Sequence, residues 1–313
     1  MPRVSVIIPT FNSAPFLGRS IGSALAQSYT DFEVVVVDDG STDDTGEVVA
    51  QFGGRVRYFY QPNAGPAAAR NLALSIASGE LIAYLDADDM WYPHKLERQV
   101  MFMDAHRECA LVHSDIAVID ESDRVTHLRF NRETMRDVPK GSCVRDLLRD
   151  SHVQTLTVVE RRDCLEKVGG FDERLKTNED YFHWILAAMS GMVFGYIDEP
   201  LAMYRWRDGS LSSSRRQMSE DLVAMLEFLL GEKLLVDRYG REAADIVLDR
   251  LYALRRELAY LDRLEGRTSD ARRCVINLIR ARPLRAELYI DLLKACVPSA
   301  LATRLRTLKE QWG

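Results

Sequence analysis

The feature that most constrains the fold of this chain is an alternation of short apolar runs with helical patterns over roughly its first ninety residues. Apolar runs of this length, bounded by turn-forming residues, are typical of buried strands. The apolar runs cover residues 4–8, 32–37, 56–60 and 80–85. The helical patterns cover residues 14–27, where Ser13 could be the cap, then a segment that Ser41 or Thr42 could cap, and residues 67–78. This order predicts an α/β fold with a doubly wound, mostly parallel sheet that is flanked by helices.

The fourth apolar run ends in three carboxylates within four positions, Asp86, Asp88 and Asp89. Asp86 and Asp88 are two residues apart, so on an extended segment their side chains point the same way. Two hard oxygen ligands on one side could hold Mg²⁺ or Mn²⁺. The alternative is an acidic strand-to-helix turn in which Asp89 caps the next helix.

Polar side chains follow three of the predicted strands. Parallel strands bring their carboxyl ends to one edge of a sheet, so these side chains could line one crevice. There Asp39 could accept a hydrogen bond from a base imide or a ribose hydroxyl, and Asp38 could simply end its strand. Arg70 is the nearest basic residue and could reach a diphosphate. The polar groups are Thr10-Phe-Asn12, Asp38-Asp39 and Asp86-Ala-Asp88.

The first strand-helix turn carries neither a Gly-x-Gly-x-x-Gly fingerprint nor a Walker phosphate loop. This argues against a dinucleotide-dependent dehydrogenase. A nucleotidyltransferase would share a nucleotide-binding α/β sheet and an acidic metal site. Such an enzyme usually needs a basic, Gly-rich triphosphate loop near its first strand, and residues 5–12 contain none.

The middle of the chain is less regular, and its end is helical in pattern. We predict strands at residues 110–119, 125–130, 155–159, 192–197 and 201–204, and helices at 93–106, 145–150, 161–168 and 179–189. A polar, Gly/Ser-rich stretch at residues 207–214 indicates a domain boundary. The pattern predicts a first domain over residues 1–214, and an all-helical extension over 215–313 with breaks near Gly240, Gly266, Pro283 and Pro298.

The composition is that of an ordinary globular protein, with 313 residues, 47% hydrophobic and 28% charged. A formal net charge of -6 gives no reason to expect nucleic acid as a partner. The five cysteines are widely scattered, which fits neither a disulfide framework nor a zinc site. No signal-peptide pattern precedes the first strand, and no run reaches the roughly 18 apolar residues of a membrane span. We therefore expect a cytoplasmic protein, with the inner face of the membrane as an alternative.

Six segments, taken together, resemble the family 2 glycosyltransferases, which are inverting enzymes with the GT-A fold. Each segment alone is weak, but all six occur in the family's order over about 200 residues, roughly residues 3–212. They are Val4-Ser-Val-Ile-Ile-Pro-Thr-Phe-Asn12, Val37-Asp-Asp-Gly-Ser-Thr-Asp-Asp-Thr45, Gly65-Pro-Ala-Ala-Ala-Arg-Asn71, Asp86-Ala-Asp-Asp89, Gly169-Gly-Phe-Asp-Glu173 and Glu179-Asp180.

The resemblance implies a nucleotide-sugar donor, most often a UDP-sugar, and divides the first domain into a donor half at about residues 1–107 and an acceptor half at 108–214. It implies that Asp180 is the general base with Glu179 beside it, that Asp88 binds a divalent cation, and that Asp86 contacts ribose or the cation. Without the other segments, the acidic pair would read as an ordinary helix N-terminus. The remaining donor-binding residues that it implies are Pro9, Thr10, Asn12, Asp39, Asn63 and Arg70.

One segment departs from the family pattern. The family often has Tyr-Arg-x-His after its last strand, and here the segment is Tyr204-Arg-Trp-Arg207. A guanidinium cannot ligate a cation, but it can bind phosphate oxygens in a bidentate manner. We expect Arg207 to hold the diphosphate and the cation to have fewer protein ligands.

The resemblance therefore implies transfer of a sugar to a hydroxyl of a glycan, a lipid-linked acceptor or a small molecule, in bacterial surface polysaccharide or glycoconjugate synthesis. The alternatives are the nucleotidyltransferase above and a non-catalytic protein that binds sugar nucleotides. Thr155 and Thr157 could face the acceptor or reflect strand propensity alone. The apolar stripes of the C-terminal helices, such as Leu288-Tyr-Ile290, indicate helix packing, a homodimer interface or a peripheral membrane contact.

Overall fold

The computed structural model describes residues 1–134, 138–149, 153–207, 214–231 and 233–296. The chain forms two compact units, Met1–Ser213 and a second unit that begins at Ser214. Most of the predicted boundary at residues 207–214 lies outside the described residues, as do Asp150 and the predicted break at Pro298.

The first four strands of the first unit form a parallel sheet and alternate with helices. Strand β1 lies between β2 and β4, β3 lies at the outer edge beside β2, and all of these pairs are parallel. Almost every residue of β1 and β2 is buried, as expected for parallel strands that are covered on both faces. The elements are β1 (Val4–Thr10), α1 (Ala14–Leu25), β2 (Phe32–Asp38), α2 (Thr45–Ala50), β3 (Arg57–Tyr60), α3 (Pro66–Ile76) and β4 (Leu81–Tyr84).

The strands after β4 continue the same sheet with mixed directions. Strand β8 is antiparallel to both β4 and β6, and β9 then runs parallel to β6 and antiparallel to β5. The short β7 pairs with β6 alone. The elements are β5 (Met90–Trp91), α4 (Lys95–Ala105), β6 (Cys109–Ile119), β7 (Val125–His127), α5 (Phe130–Thr134), α6 (Val144–Arg149), β8 (Val159–Arg161), α7 (Arg162–Val168), α8 (Glu179–Met189) and β9 (Val193–Arg205). The predicted fold class is confirmed.

Three of the predicted strands are wrong in detail. The strand predicted at residues 155–159 is displaced to β8, which begins at Val159, because Thr155–Thr157 is a 3₁₀ turn in which the Thr157 hydroxyl donates to the carbonyl oxygen of Gln154 at 2.6 Å. Such local hydroxyl bonds compete with a strand ladder. The two strands predicted at 192–197 and 201–204 form one strand, β9. This strand contains Pro200, and its register against β6 shifts at that residue.

Three predicted helix caps are also wrong. Asp89 is followed by β5, and its carboxylate accepts a hydrogen bond from the backbone of Arg205 at 2.7 Å instead of capping a helix. Ser13 does precede α1, but its hydroxyl donates to the carbonyl oxygen of Phe11. Helix α2 begins at Thr45 after Asp44, so neither Ser41 nor Thr42 caps it.

The second unit is helical, and three of its predicted breaks are confirmed. The positive φ of 78° at Gly240 interrupts α10, and Gly266 and Pro283 lie between helices. A small core joins Val275, Leu278 and Leu288, whereas Ile290 and Leu293 are exposed. No helix in the described part of the chain is both long and apolar enough to cross a membrane. The helices are α9 (Arg215–Gly231), α10 (Lys233–Leu264), α11 (Thr268–Ala281) and α12 (Ala286–Cys296).

Glu33 joins the strands of the donor half to one another. Its carboxylate accepts hydrogen bonds from the Ser5 hydroxyl on β1 at 2.6 Å and from the Ser78 amide at 2.7 Å, and it pairs with Arg57 on β3. Burial alone would raise the pKa of Glu33, but these hydrogen bonds outweigh it and lower that pKa to about 2. The ionised carboxylate therefore stabilises this side of the sheet.

We predict that Glu33→Gln lowers the free energy of unfolding by about 1 to 2 kcal/mol at pH 7, after allowance for solvent screening. Because the pKa is lower in the folded state, this stabilisation is present above the pKa of the unfolded chain and is lost as the pH falls from about 4.5 towards 2. Urea titrations at pH 7 and pH 3, followed by tryptophan fluorescence, would measure both values. The exposed Glu121→Gln is the control. An equal difference between Glu33→Gln and the native chain at both pH values would contradict this account.

Candidate active site

The carboxylate of Asp39 organises the loop that follows β3. It accepts hydrogen bonds from the Gln61 side chain at 2.6 Å and from the backbone amides of Ala64 at 2.9 Å and Gly65 at 2.8 Å. Asp39 is buried at the end of β2. These hydrogen bonds therefore hold the loop that leads into α3.

Gly40 allows this loop to lie directly over the end of β2. Its φ is +83°, and a Cβ atom there would come within 2.6 Å of the Asn63 backbone nitrogen. The Asn63 side chain in turn donates to the carbonyl oxygen of Asp39 at 3.0 Å. Any larger residue at Gly40 would push the loop, and Asn63 with it, away from the strand ends.

The end of β1 contributes one unused polar group. The carbonyl oxygen of Thr10 accepts from the Asp39 amide at 2.8 Å, but the Thr10 hydroxyl is buried and has no hydrogen-bond partner among the described residues. Pro9 lies beside it, half-buried, opposite Val37 of β2. The side chain of Asn12 is already engaged, since its Oδ1 accepts from the Thr42 amide at 2.8 Å. Thr10 is therefore better placed than Asn12 to receive a ligand.

Arg70 lies between two of the predicted site carboxylates. Its Nη2 donates to Oδ1 of Asp86 at 2.7 Å, and its Nη1 donates to Glu179 at the start of α8. The guanidinium also lies 5.7 Å from the centre of the Phe171 ring. The sequence predicts that Arg70 faces a diphosphate, and in the structure both of its Nη groups contact protein carboxylates.

The acidic residues around Arg70 shift one another's titration. Burial raises the pKa of Glu179 to about 7; Arg70 opposes this effect, and the neighbouring Asp180 and Asp86 reinforce it. A third of the Asp86 side chain reaches solvent. The pKa of Asp86 is raised, chiefly because protein atoms surround its carboxyl group. The charge of Arg70 lowers this pKa, and the charges of Asp88 and Asp180 raise it. These acids therefore lie close enough to repel one another.

Arg205, at the end of β9, and Arg207, two residues later, both bind Asp88. The Nε of Arg207 donates to Oδ2 of Asp88 at 2.7 Å, and the Nε of Arg205 donates to the Asp88 carbonyl oxygen at 2.7 Å. Both guanidiniums lie over the Phe16 ring of α1, at 5.1 Å for Arg205 and 5.2 Å for Arg207. Sequence reasoning missed Arg205, although the Tyr-Arg pair of the family segment marks its position.

Asp180 begins α8 together with Glu179, and Thr155 orients it. The Thr155 hydroxyl donates to Oδ2 of Asp180. Oδ1 of Asp180 accepts from the backbone amide of Tyr181 at 2.7 Å. Thr155 therefore contacts a predicted site residue, although it lies in a 3₁₀ turn and not on the expected strand.

The carboxylates of Asp86 and Asp88 are a suitable donor set for a hard divalent cation. Mg²⁺ and Mn²⁺ prefer oxygen ligands, and Mg²⁺ sites commonly use one or two carboxylates together with substrate phosphates. Within the described residues there is no group of three or more His, Cys, Asp or Glu side chains arranged to hold a metal. A cation held by these two carboxylates would need further ligands, such as phosphate oxygens.

Comparison with known sequences agrees with the resemblance to the family 2 glycosyltransferases. The family described as Glycosyl transferase family 2 matches residues 5–161. An uncharacterized glycosyltransferase of Rickettsia typhi is 30% identical over 72% of this chain and 70% of its own length. TuaG of Bacillus subtilis, a glycosyltransferase named for teichuronic acid biosynthesis, is 31% identical over 68% of this chain and 83% of its own. The chain spans only 38% of a longer relative from Rickettsia felis.

Solved structures resemble the chain over most of its length. TarS of S. aureus, residues 1–349, has a TM-score of 0.67 and 22% identity, and the match covers 94% of this chain and 88% of that one. TarS has also been solved with UDP-GlcNAc. PcManGT, a mannosyltransferase of Pyrobaculum calidifontis solved with GDP-Man and Mn²⁺, has a TM-score of 0.58 and 22% identity over 94% of this chain and 86% of that one. These likenesses show a shared fold, which is the predicted GT-A type.

We predict that Arg70→Met lowers the free energy of unfolding by about 3 kcal/mol, because it leaves the buried Glu179 and the partly exposed Asp86 without their cation. Adding Glu179→Gln should recover part of this loss, since one of those charges is then removed. Urea denaturation would measure both variants. The control is Arg98→Met, whose ion pair with Glu199 is exposed and should contribute less than about 1 kcal/mol. Equal losses in Arg70→Met and Arg98→Met would refute a buried clamp.

Proposed function

This chain belongs to glycosyltransferase family 2, and we propose that it transfers a sugar from a UDP-sugar to an acceptor hydroxyl with inversion of configuration. The observation that carries the proposal is the placement of Asp180, which Thr155 orients beside Asp86 and Arg70 at the carboxyl edge of the sheet. An inverting transfer needs one base at such a position, facing the acceptor and away from the diphosphate.

The proposed reaction is a single displacement. The acceptor oxygen forms a bond to the anomeric carbon as the bond from that carbon to the diphosphate oxygen breaks, and the acceptor proton moves to a carboxylate oxygen of Asp180. Glu179 is less suited to be this base, because it is buried and its carboxylate is paired with Arg70. We therefore assign Glu179 to holding the site together, with Asp180 as the base.

We propose that the nucleoside lies over the ends of β1 and β2. The buried Thr10 hydroxyl lacks a partner among the described residues, which supports a ligand there, and Pro9, Asp39 and Asn63 surround the same strand ends. Asn12 would act indirectly by holding the turn after β2. The TarS complex with UDP-GlcNAc supports a UDP-sugar, and the GDP-Man complex of PcManGT makes a guanosine donor the alternative to test.

Asp88 and Asp86 would hold Mn²⁺ or Mg²⁺, which when bound would stabilise the charge that develops on the departing diphosphate. The protein's own cations near that charge are Arg207 and Arg70. Arg70 is paired with two carboxylates, so its contribution is to fix Asp86 in place. Arg207 is the more exposed of the two and is better placed to meet a phosphate.

The acceptor that we propose is a glycan or lipid-linked sugar in bacterial surface polysaccharide synthesis, as the similarity to TuaG suggests. The exposed Ile290 and Leu293 of α12 would suit contact with a second copy or with the inner face of the membrane. Sedimentation of the full chain, with and without vesicles, would separate these two alternatives. The nucleotidyltransferase alternative loses its support, since the chain belongs to a glycosyltransferase family.

We predict that, with Mn²⁺ present, one nucleotide sugar of a donor panel releases its nucleoside diphosphate, and that this donor carries UDP. Asp180→Asn should lower that rate at least about 100-fold, because general-base catalysis is lost. The same variant should keep its affinity for UDP within twofold, as measured by calorimetry. Glu166→Gln, an exposed carboxylate on α7, is the control.

No release from any donor and no binding of any nucleotide sugar would refute the proposed function. Full activity in Asp180→Asn would place the base elsewhere, and Glu179 would then be tested first.

Arg207 is proposed to compete with the cation for Asp88. Its Nε already donates to the Asp88 carboxylate, where a cation would bind. When a donor enters, the guanidinium can instead bind phosphate oxygens. Arg207 would then weaken cation binding to the empty protein and strengthen binding of the diphosphate.

We therefore predict that Arg207→Ala weakens UDP binding by about tenfold and tightens Mn²⁺ binding in the absence of nucleotide. Arg207→His should tighten Mn²⁺ binding further, because an imidazole can ligate the ion. Calorimetry would measure UDP affinity, and paramagnetic resonance would measure free Mn²⁺. Arg98→Ala, on the exposed surface of α4, is the control. If Arg207→Ala changes neither affinity, Arg207 has no role in the site.

A further inference from the structure

We propose that Glu160 on β8 is a positioning residue for the transfer reaction. It would hold α8, which carries Asp180, at a set distance from the end of β4, which leads to Asp86. The inference rests on the proposed function, because it takes Asp180 as the base. Glu160 itself would touch neither donor nor acceptor, and it would act through its contacts with Tyr84 and His183.

Both carboxylate oxygens of Glu160 are engaged inside the protein. Oε1 lies 3.0 Å from Nε2 of His183, and Oε2 accepts from the Tyr84 hydroxyl at 2.5 Å. The side chains of Glu160 and His183 are fully buried, and Tyr84 is almost so. A buried carboxylate that binds two different elements fixes both the distance and the direction between them.

The two partners of Glu160 belong to the two elements that carry the proposed catalytic groups. Tyr84 ends β4, two residues before Asp86. His183 lies on α8, four residues after Glu179 and three after Asp180, so it is about one helical turn below them. Glu160 pairs with Ile82 of β4 through the sheet. It therefore connects the sheet to the helix beneath the acidic groups.

A second link joins the same two elements on the side of the acidic groups. Arg70 binds Asp86 after β4 and Glu179 at the start of α8. With one link through Arg70 and another through Glu160, α8 is fastened to the end of β4 at two points one turn apart. Two fastened points restrain tilting of the helix, which a single contact would permit.

The rings around Glu160 leave little room for His183 or Tyr84 to move. Tyr84 meets the Phe171 and Trp184 rings edge to face, both at 5.7 Å between centres. The His183 ring lies 4.9 Å from both Phe171 and Trp184. Phe171 also supports the Arg70 guanidinium. These aromatic contacts connect the two links into one rigid group.

Stability alone is a weak reason for a buried, hydrogen-bonded carboxylate at this place. Apolar side chains of similar volume often stabilise a protein core as well as a buried ion pair does. Such residues would fill the same space but would not fix a direction. The gain that we infer from Glu160 is therefore accuracy in the placement of Asp180, since a displacement of about 1 Å can cost about 100-fold in rate.

The test compares variants in which the link is cut while the space remains filled. Glu160→Leu removes both hydrogen bonds, Tyr84→Phe removes only one, and Glu160→Gln keeps a polar group of the same shape. We expect kcat to fall about 100-fold in Glu160→Leu and about tenfold in Tyr84→Phe, with partial rescue in Glu160→Gln. The Kd for UDP with Mn²⁺ should stay within twofold in all three, because the nucleoside site is separate.

Glu33→Gln is the matched control, since it removes a hydrogen-bonded carboxylate from the same sheet without touching α8. Its kcat should equal that of the native chain when both are assayed well below their unfolding temperatures. If Glu160→Leu does not fold, Tyr84→Phe and Glu160→Gln decide the matter by the same split between kcat and Kd.

Native kcat in these link variants, together with an inactive Asp180→Asn, would overturn the positioning role and leave the proposed function standing. An active Asp180→Asn would overturn the proposed function itself. A loss of kcat in Glu33→Gln as large as that in Tyr84→Phe would show that the link contributes only general stability, and this outcome too would overturn the proposal.

Discussion

The site depends first on the buried contact of Arg70 with Asp86 and Glu179. These three residues come from α3, from the turn after β4 and from the start of α8. Arg70 and Glu179 are 109 residues apart in the chain. Removing Arg70 would cost much more than forming the contact gains, because Glu179 would stay buried without its cation. The Arg70 guanidinium pairs with two of the acidic groups and so offsets part of their mutual repulsion.

The acidic site is supported on several sides by different chemistry. Arg205 and Arg207 hold the backbone and the carboxylate of Asp88, and both stack on Phe16. Thr155 orients Asp180 by a hydroxyl hydrogen bond. The carboxylates that are proposed to bind a cation or a proton are thus each held by a different element. A crevice built in this way can stay in place before its substrates arrive.

Much of the donor half could be predicted from the sequence, because parallel strands and their helices leave local signals. The runs that became β1, β2 and β4 are apolar and end in polar residues, so their shared edge could be inferred. The less regular acceptor half gave weaker signals. Thr155 lies on a 3₁₀ turn because a local hydroxyl hydrogen bond outweighs strand propensity there. Asp89 binds β9 through a hydrogen-bond partner that lies 116 residues away in the chain, which a local pattern does not reveal.

The sequence by itself determined the α/β class and the family, and it predicts which carboxylates form the site, since these follow from periodicity and from short motifs. Only the tertiary structure decided what each of those groups touches. The sequence predicts that Arg70 binds a phosphate, whereas in the fold its guanidinium binds Asp86. Arg207 binds Asp88, which lies 119 residues earlier in the chain. The physical reason is that electrostatic partners are chosen by distance in space, which local sequence does not encode.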